Sequence, residues 1–267
     1  MRTPWFYILL LLLWATAALL PITADEAYYW VWSQQWAWGY FDHPPLVAWL
    51  SALNPWAGRS ALALRAPFLL LTSLTMAWKY RAHAGWLLIA PGAHLWLGWA
   101  LPDTLLLVLG TLTVHFFLRW YRSSDDYVAA LLFTLSLVGM AYAKYHGVLL
   151  ALALFLGHPK VARRPAFYGL LLAGALLYSP YLGWLHEHDW ATFQYHLSGR
   201  YSGTGGGASL LAFGAVQLLL WFPVVLFWSH FPRWYRLLAL LMAVAFGWGA
   251  NRRFSLGHLV QSTIHPH

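Results

Sequence analysis

What most constrains this chain is a succession of apolar runs, at residues 4 to 22, 61 to 79, 84 to 100, 102 to 120, 127 to 143, 146 to 157, 166 to 185, 208 to 229 and 236 to 250. A helix needs about 20 apolar residues to cross a bilayer. Inside hydrocarbon every backbone N–H and C=O must be satisfied within the segment, which selects helices for single spans. With 61% hydrophobic and 9% charged residues, a 267-residue chain cannot cover a soluble surface. The expectation is an all-α, polytopic membrane protein of about nine transmembrane helices. Residues 1–250 form one membrane module and residues 251–267 a polar, basic tail. The run at 146 to 157 is about half the usual length, so it crosses tilted, starts earlier or re-enters. The first run is longer than a signal-peptide core and lacks a small-x-small site before Asp25, which favours a retained anchor over a cleaved leader.

Charge sets the orientation. The net charge is +8, but the bases stand in short loops between apolar runs, where they orient helices; this argues against nucleic acid as a partner. With the N-terminus cytoplasmic, Arg2, Lys79, Arg81, Arg119, Arg122, Lys160, Arg163, Arg164, Arg233 and Arg236 all fall inside, ten of the sixteen Lys and Arg. The same threading sends Asp25, Glu26, Asp42, Asp103, Glu187 and Asp189 to the outer face, six of the eight acids. Carboxylates beside hydrocarbon are costly unless they serve a polar site, so that face is the expected active site of a multi-pass cytoplasmic-membrane protein. The chain has no cysteine, which excludes disulfides and thiolate metal sites.

Two outer loops hold most of the polar residues. Loop one, about 23–60, is interrupted at Gly39 and Pro44-Pro45. Before the break Tyr28, Trp32, Gln35 and Trp36 recur at helical spacing, and after it Leu46, Trp49, Leu50 and Leu53 do so. This predicts two short interfacial helices anchored by Trp and Tyr. Loop two, about 186–207, ends in a glycine-rich stretch of the kind that often closes over sites. His186 and His188, with Asp42 and His43 facing them, are candidate ligands for a divalent metal ion, a looser pattern than a four-ligand zinc motif. His94 and His115 lie within apolar runs, where core hydrogen bonding is the commoner role.

The segments DEAYYW (25–30), GYFDHPPL (39–46), Pro102-Asp103, KYHG (144–147) and Ser179-Pro180 followed by HEHDWATFQYHLSGR occur in an order that resembles one family. It is the bacterial branch of the C-type (GT-C) membrane glycosyltransferases, which use polyprenyl-phosphate sugars and are related to protein O-mannosyltransferases and lipid A aminoarabinose transferases. The resemblance implies a GT-C-like fold. It also implies an inverting transfer of a sugar from a polyprenyl-phosphate donor, held among membrane lipids, to a lipid, glycan or protein acceptor. Because phosphate is already a good leaving group, one carboxylate base and cations for the phosphate suffice, unlike the two carboxylates of a glycosidase.

Carried onto this chain, the resemblance makes Asp25 the base, with Glu26 orienting it or touching the sugar, and Asp103 the second acidic position. Lys144 is the first choice for the donor phosphate, since a lysine at the outer end of an apolar helix needs an anion or must snorkel. His43 stands before Pro-Pro where aminoarabinose transferases carry lysine, and Arg200 is a third phosphate candidate. Tyr28, Tyr29, Asp42, His146 and Trp190 lie in the same motifs and are the expected sugar contacts. Each has a plainer alternative. Asp25, Glu26 and Asp103 suit helix N-termini, Lys144 a snorkelling anchor, Arg200 a solvated loop, and Asp42-His43 a turn. Tyr28 replaces the arginine of the aminoarabinose enzymes, so the transferred sugar stays open. Family members are typically longer, so the chain is expected to be a minimal member or a part of one. Two other classes fit the same composition, a lipid-linked-sugar flippase and a non-catalytic subunit that binds such a lipid. A flippase calls for internal repeats and helices broken near the midplane.

Overall fold

The computed structural model describes residues 4–81, 97–197, 229 and 231–242, and these form helices and turns with no strand among them. They belong to two compact units, Met1–Gly147 with Tyr168–Trp184, and Val148–Phe167 with Leu185–His267.

The first unit begins with α1 (Pro4–Leu19), apolar on every side. Its buried residues Phe6, Leu9, Leu13 and Ala17 recur every three or four positions and pack on Leu69 and Met76. In lipid such a face gains no hydrophobic term by burial, so close packing and polar ties must hold the pair. One tie is Trp14 Nε1 donating to Ser73 Oγ at 3.2 Å. Pro21 then stops the helix, and the chain turns by 77° into α2 (Ala24–Ser33). Thr23 opens α2 with a reciprocal cap, accepting from the Glu26 N–H while Glu26 Oε2 accepts from the Thr23 N–H at 2.9 Å.

After the Gly39 to Pro45 break come α3 (Leu46–Ala52), a 3₁₀ turn at Ala57–Arg59 and α4 (Ala61–Thr75), which continues as a π-helix over Met76–Tyr80. Loop one therefore contains the two short helices that its spacing predicts. Pro67 lies inside α4 and cannot donate to the Ala63 carbonyl. Asn54 Nδ2 supplies that missing hydrogen bond from loop one.

Next are α5 (Pro102–Arg122) and α6 (Tyr127–Ala143), an antiparallel hairpin. Pro102 takes the first helical position of α5, where its absent N–H costs nothing. Asp126 caps α6 by accepting from the Ala129 N–H at 2.9 Å. At Gly147 a Cβ would come within 2.8 Å of Met140 Cγ, so the turn after α6 needs glycine.

The remaining elements are α7 (Gly147–Gly157), a 3₁₀ turn at Pro159–Arg163, α8 (Pro165–Glu187) and α9 (Ala191–Leu197). In the second unit α8 closes with the Trp190 N–H on the Leu185 carbonyl and the Asp189 N–H on the His186 carbonyl. This is the Schellman pattern, with Asp189 at φ 52° in the position usually given to glycine and Trp190 also left-handed at φ 56°.

The expectation of nine spans is corrected. By length and apolarity, the described residues contain three helices able to cross a membrane, Ala61–Tyr80, Pro102–Arg122 and Pro165–Glu187, or four if the bent α1–α2 pair counts as one. Tyr127–Ala143 and Gly147–Gly157 are shorter apolar helices; they have nearly the extent of their apolar runs, 17 and 11 residues, and fall short of a crossing length. At 1.5 Å per residue the 11 residues of α7 reach only about half the hydrocarbon thickness. The expected spans at 208–228 and most of 84–100 and 236–250, the basic tail 251–267 and the second half of loop two lie outside the described residues.

Candidate active site

The base of the site is an ion pair between α2 and α4. Arg65 Nε and Nη2 donate to the two oxygens of Glu26 at 2.7 and 2.6 Å. Nη1 donates to the Ala17 and Leu20 carbonyls and Nη2 to the Pro21 carbonyl, at 2.8–2.9 Å. All five guanidinium N–H groups are therefore used. The Ala17 carbonyl is open because the residue four positions on, Pro21, has no N–H. Arg65 thus finishes α1 while Glu26 starts α2, and the Ala100 N–H also donates to Glu26 Oε1 at 3.1 Å. Both side chains are 0% exposed. Burial acts to raise the Glu26 pKa, but the hydrogen bonds from Arg65, Thr23 and Ala100 outweigh it and leave the carboxyl below its ordinary value.

With Glu26 committed to the cap and the arginine, Asp25 takes no part in the box and stands exposed on the first turn of α2. Glu26 is expected from sequence to orient Asp25 or touch the sugar. Its position limits it to holding the helix that carries Asp25. Arg65 is not among the sequence candidates. Its signal was present all the same, since an arginine within ALALRAPFLLL must find a partner once buried.

Tyr29 is 6% exposed and lies at the centre of the acids. Burial first, then the charges of Asp25, Asp42 and Asp103, hold its hydroxyl well above the ordinary phenol range. It keeps its proton and can donate to His43 Nε2, 3.4 Å away. His43 Nδ1 lies 3.1 Å from Asp42 Oδ1. The Tyr28 hydroxyl donates to the same Asp42 oxygen at 3.3 Å. Trp32 is stacked on Tyr40 at 4.8 Å and lies 4.2 Å from the Tyr28 ring. Gly39 lies against Trp184, where a Cβ would approach to 2.3 Å.

Across this cluster, Asp103 on the first turn of α5 receives Lys144 Nζ at 2.7 and 2.9 Å, from the C-cap of α6. Both residues are partly exposed, at 39% and 22%. His146 is half-buried in the turn that follows Lys144. The first unit therefore brings together Asp25, Tyr28, Tyr29, Asp42, His43 and Asp103 with its Lys144. His186, His188 and Trp190 belong to the second unit, at and beyond the end of α8. Arg200 lies outside the described residues. Among the described residues no three His, Asp or Glu side chains gather to hold a metal ion. Asp42 and His43 are engaged with each other and with the tyrosines.

No protein family, curated protein or solved structure matches this chain. The site must be judged on its own chemistry. It is an aromatic cluster rimmed by acids, with an exposed carboxylate, Asp25, and a partly exposed cation, Lys144, held on Asp103. Such a cluster suits a ligand that carries hydroxyl groups and one anionic group.

Proposed function

We propose that the chain is an inverting glycosyltransferase moving a sugar from polyprenyl phosphate to a hydroxyl of a lipid, glycan or protein acceptor at the outer face of the cytoplasmic membrane. The observation that carries the reading is the gathering of Asp25, Asp42 and Asp103 around Tyr29, with Lys144 on Asp103. In a chain with eight acids, three around one aromatic cluster argue for chemistry rather than anchoring.

In this reading Asp25 accepts the proton of the acceptor hydroxyl, whose oxygen forms a bond to the anomeric carbon. The bond from that carbon to the phosphate oxygen breaks on the opposite side, and polyprenyl phosphate leaves with the electron pair. Lys144 exchanges Asp103 for the donor phosphate and stabilises the charge it gains. Tyr28, Tyr29 and the Trp32 ring bound the sugar. Glu26 and Arg65 are positioning residues, not catalytic ones.

The pairing of Lys144 with Asp103 also favours a second reading, in which the chain binds a lipid-linked sugar without turning it over, as a subunit or flippase would. Incubating the purified protein with radiolabelled polyprenyl-phosphate sugars and an envelope acceptor extract separates the two. Transfer that disappears in Asp25→Asn supports the enzyme. Donor binding without transfer under all acceptor conditions supports the subunit.

A further inference from the structure

A cavity of about 220 Å³ opens between α4, its π-helical extension and α5, with Thr72, Thr75, Tyr80, Leu107, Val108 and Thr111 in its wall. Three of its four hydroxyl-bearing residues are satisfied by the protein. Thr75 Oγ1 donates to Leu71, Thr111 Oγ1 to Leu107, and Tyr80 shares a hydrogen bond with Thr111 at 3.1 Å. Thr72 is 1% exposed, and its hydroxyl has no partner among the described residues. A buried hydroxyl without a partner is costly, so Thr72 favours a ligand that brings an acceptor into the cavity. π-turns are uncommon and frequently occur at functional sites.

Beyond Thr111 the same face of α5 becomes charged. Along α5, Leu107, Thr111, His115, Arg119 and Arg122 fall on one stripe, running from apolar through polar to cationic. Lys79, on the π-helix, places Nζ 3.4 Å from His115 Nδ1. Trp78 sets its ring edge-on to His115 at 4.6 Å and stays 49% exposed. Arg119 is engaged by Asp126, whereas Lys79 and Arg122 are exposed. Arg122 and His115 stand 19 and 12 residues along α5 from Asp103, roughly 28 and 18 Å at helical rise, so a headgroup here is not at the acid-rimmed cluster.

We propose that this is a binding site for an anionic glycerophospholipid, with its phosphate on Lys79, His115 and Arg122. One acyl chain runs along Leu107 and Val108 into the cavity, and an ester carbonyl accepts from Thr72. The volume suits part of a chain and is below that of a pocket for a whole drug-sized ligand. A zwitterionic headgroup would bring its own cation against Lys79 and Arg122, so a net negative lipid is favoured.

Native mass spectrometry of the full chain in detergent tests this, with phosphatidylglycerol, phosphatidylcholine of the same chains, inorganic phosphate and a polyprenyl phosphate as separate probes. The expected result is retained phosphatidylglycerol, at least tenfold weaker phosphatidylcholine, and no displacement by inorganic phosphate. Lys79→Gln with Arg122→Gln should weaken phosphatidylglycerol at least tenfold. Val108→Phe, which fills the cavity and leaves the cations in place, should weaken it similarly, whereas Lys160→Gln should not. Equal retention of both lipids, retention unchanged in the Lys79/Arg122 and Val108 variants, full competition by inorganic phosphate, or variant-sensitive binding of polyprenyl phosphate alone would each overturn the proposal.

Discussion

Arg65 holds Glu26 through two hydrogen bonds of 2.7 and 2.6 Å, and solvent reaches neither side chain. The pair joins the end of α1, the start of α2 and α4, and so fixes the 77° bend that presents Asp25. Breaking a buried pair by removing one partner leaves an uncompensated charge, at a cost of about 3–5 kcal/mol. Arg65→Ala should therefore lower the thermal midpoint sharply in detergent. A midpoint within a degree of wild type would refute the assignment.

The same pair sets an acid limit. Glu26 has a folded-state pKa below its ordinary value of 4.5, so its stabilisation is full above that value and is lost as the pH falls through the lower folded one. Unfolding midpoints measured from pH 6 down to pH 3 should fall for wild type below about 4.5. Glu26→Gln should start lower and show a flatter decline over that window.

Asp25→Asn keeps the size of the side chain and leaves the Thr23 and Glu26 cap untouched. If Asp25 is the base, sugar transfer should fall by about 10²-fold or more, while donor affinity changes little. Filter binding of the labelled donor beside the transfer assay separates the two effects.

Lys144→Ala should weaken the donor by about tenfold or more, since a charge-assisted phosphate contact is worth about 1.5–3 kcal/mol. Asp103→Asn should have the opposite sign on donor affinity, because it removes the carboxylate with which the phosphate competes. A titration in which both variants weaken the donor equally would assign the pair a structural role instead.

Gly39→Ala places a methyl group within 2.3 Å of the Trp184 ring and should cost about 1–3 kcal/mol by overpacking. Combined with Trp184→Ala the two costs should not add, the double variant being more stable than the sum predicts. Denaturant midpoints of the four proteins give the coupling.

Features written within a few residues were legible in the sequence. Thr23 and Glu26 form the Thr-x-x-Glu signature of a capping box, and Gly39 with Pro44-Pro45 marks the break between α2 and α3. Asp103 and Lys144 could each be picked out as a costly charge beside hydrocarbon. That they bind one another was not legible, because they are 41 residues apart and meet only when α5 and α6 pair. Arg65 was hidden in the same way, since its partner lies 39 residues earlier. The span count failed for a different reason. An apolar run is not by itself a crossing, since α6 and α7, with 17 and 11 residues, are as apolar as a span but shorter than one.

The hairpin of α5 and α6 is fastened at both ends, by Lys144 with Asp103 at one and Arg119 with Asp126 at the other. Two such fasteners on one rod pair act as a vernier. An axial slip of a single residue, about 1.5 Å, would pull both pairs out of register together. When an anion takes Lys144 at one end, the other clasp still keeps the helices in step, so Lys144 can exchange its counterion without α5 and α6 losing alignment.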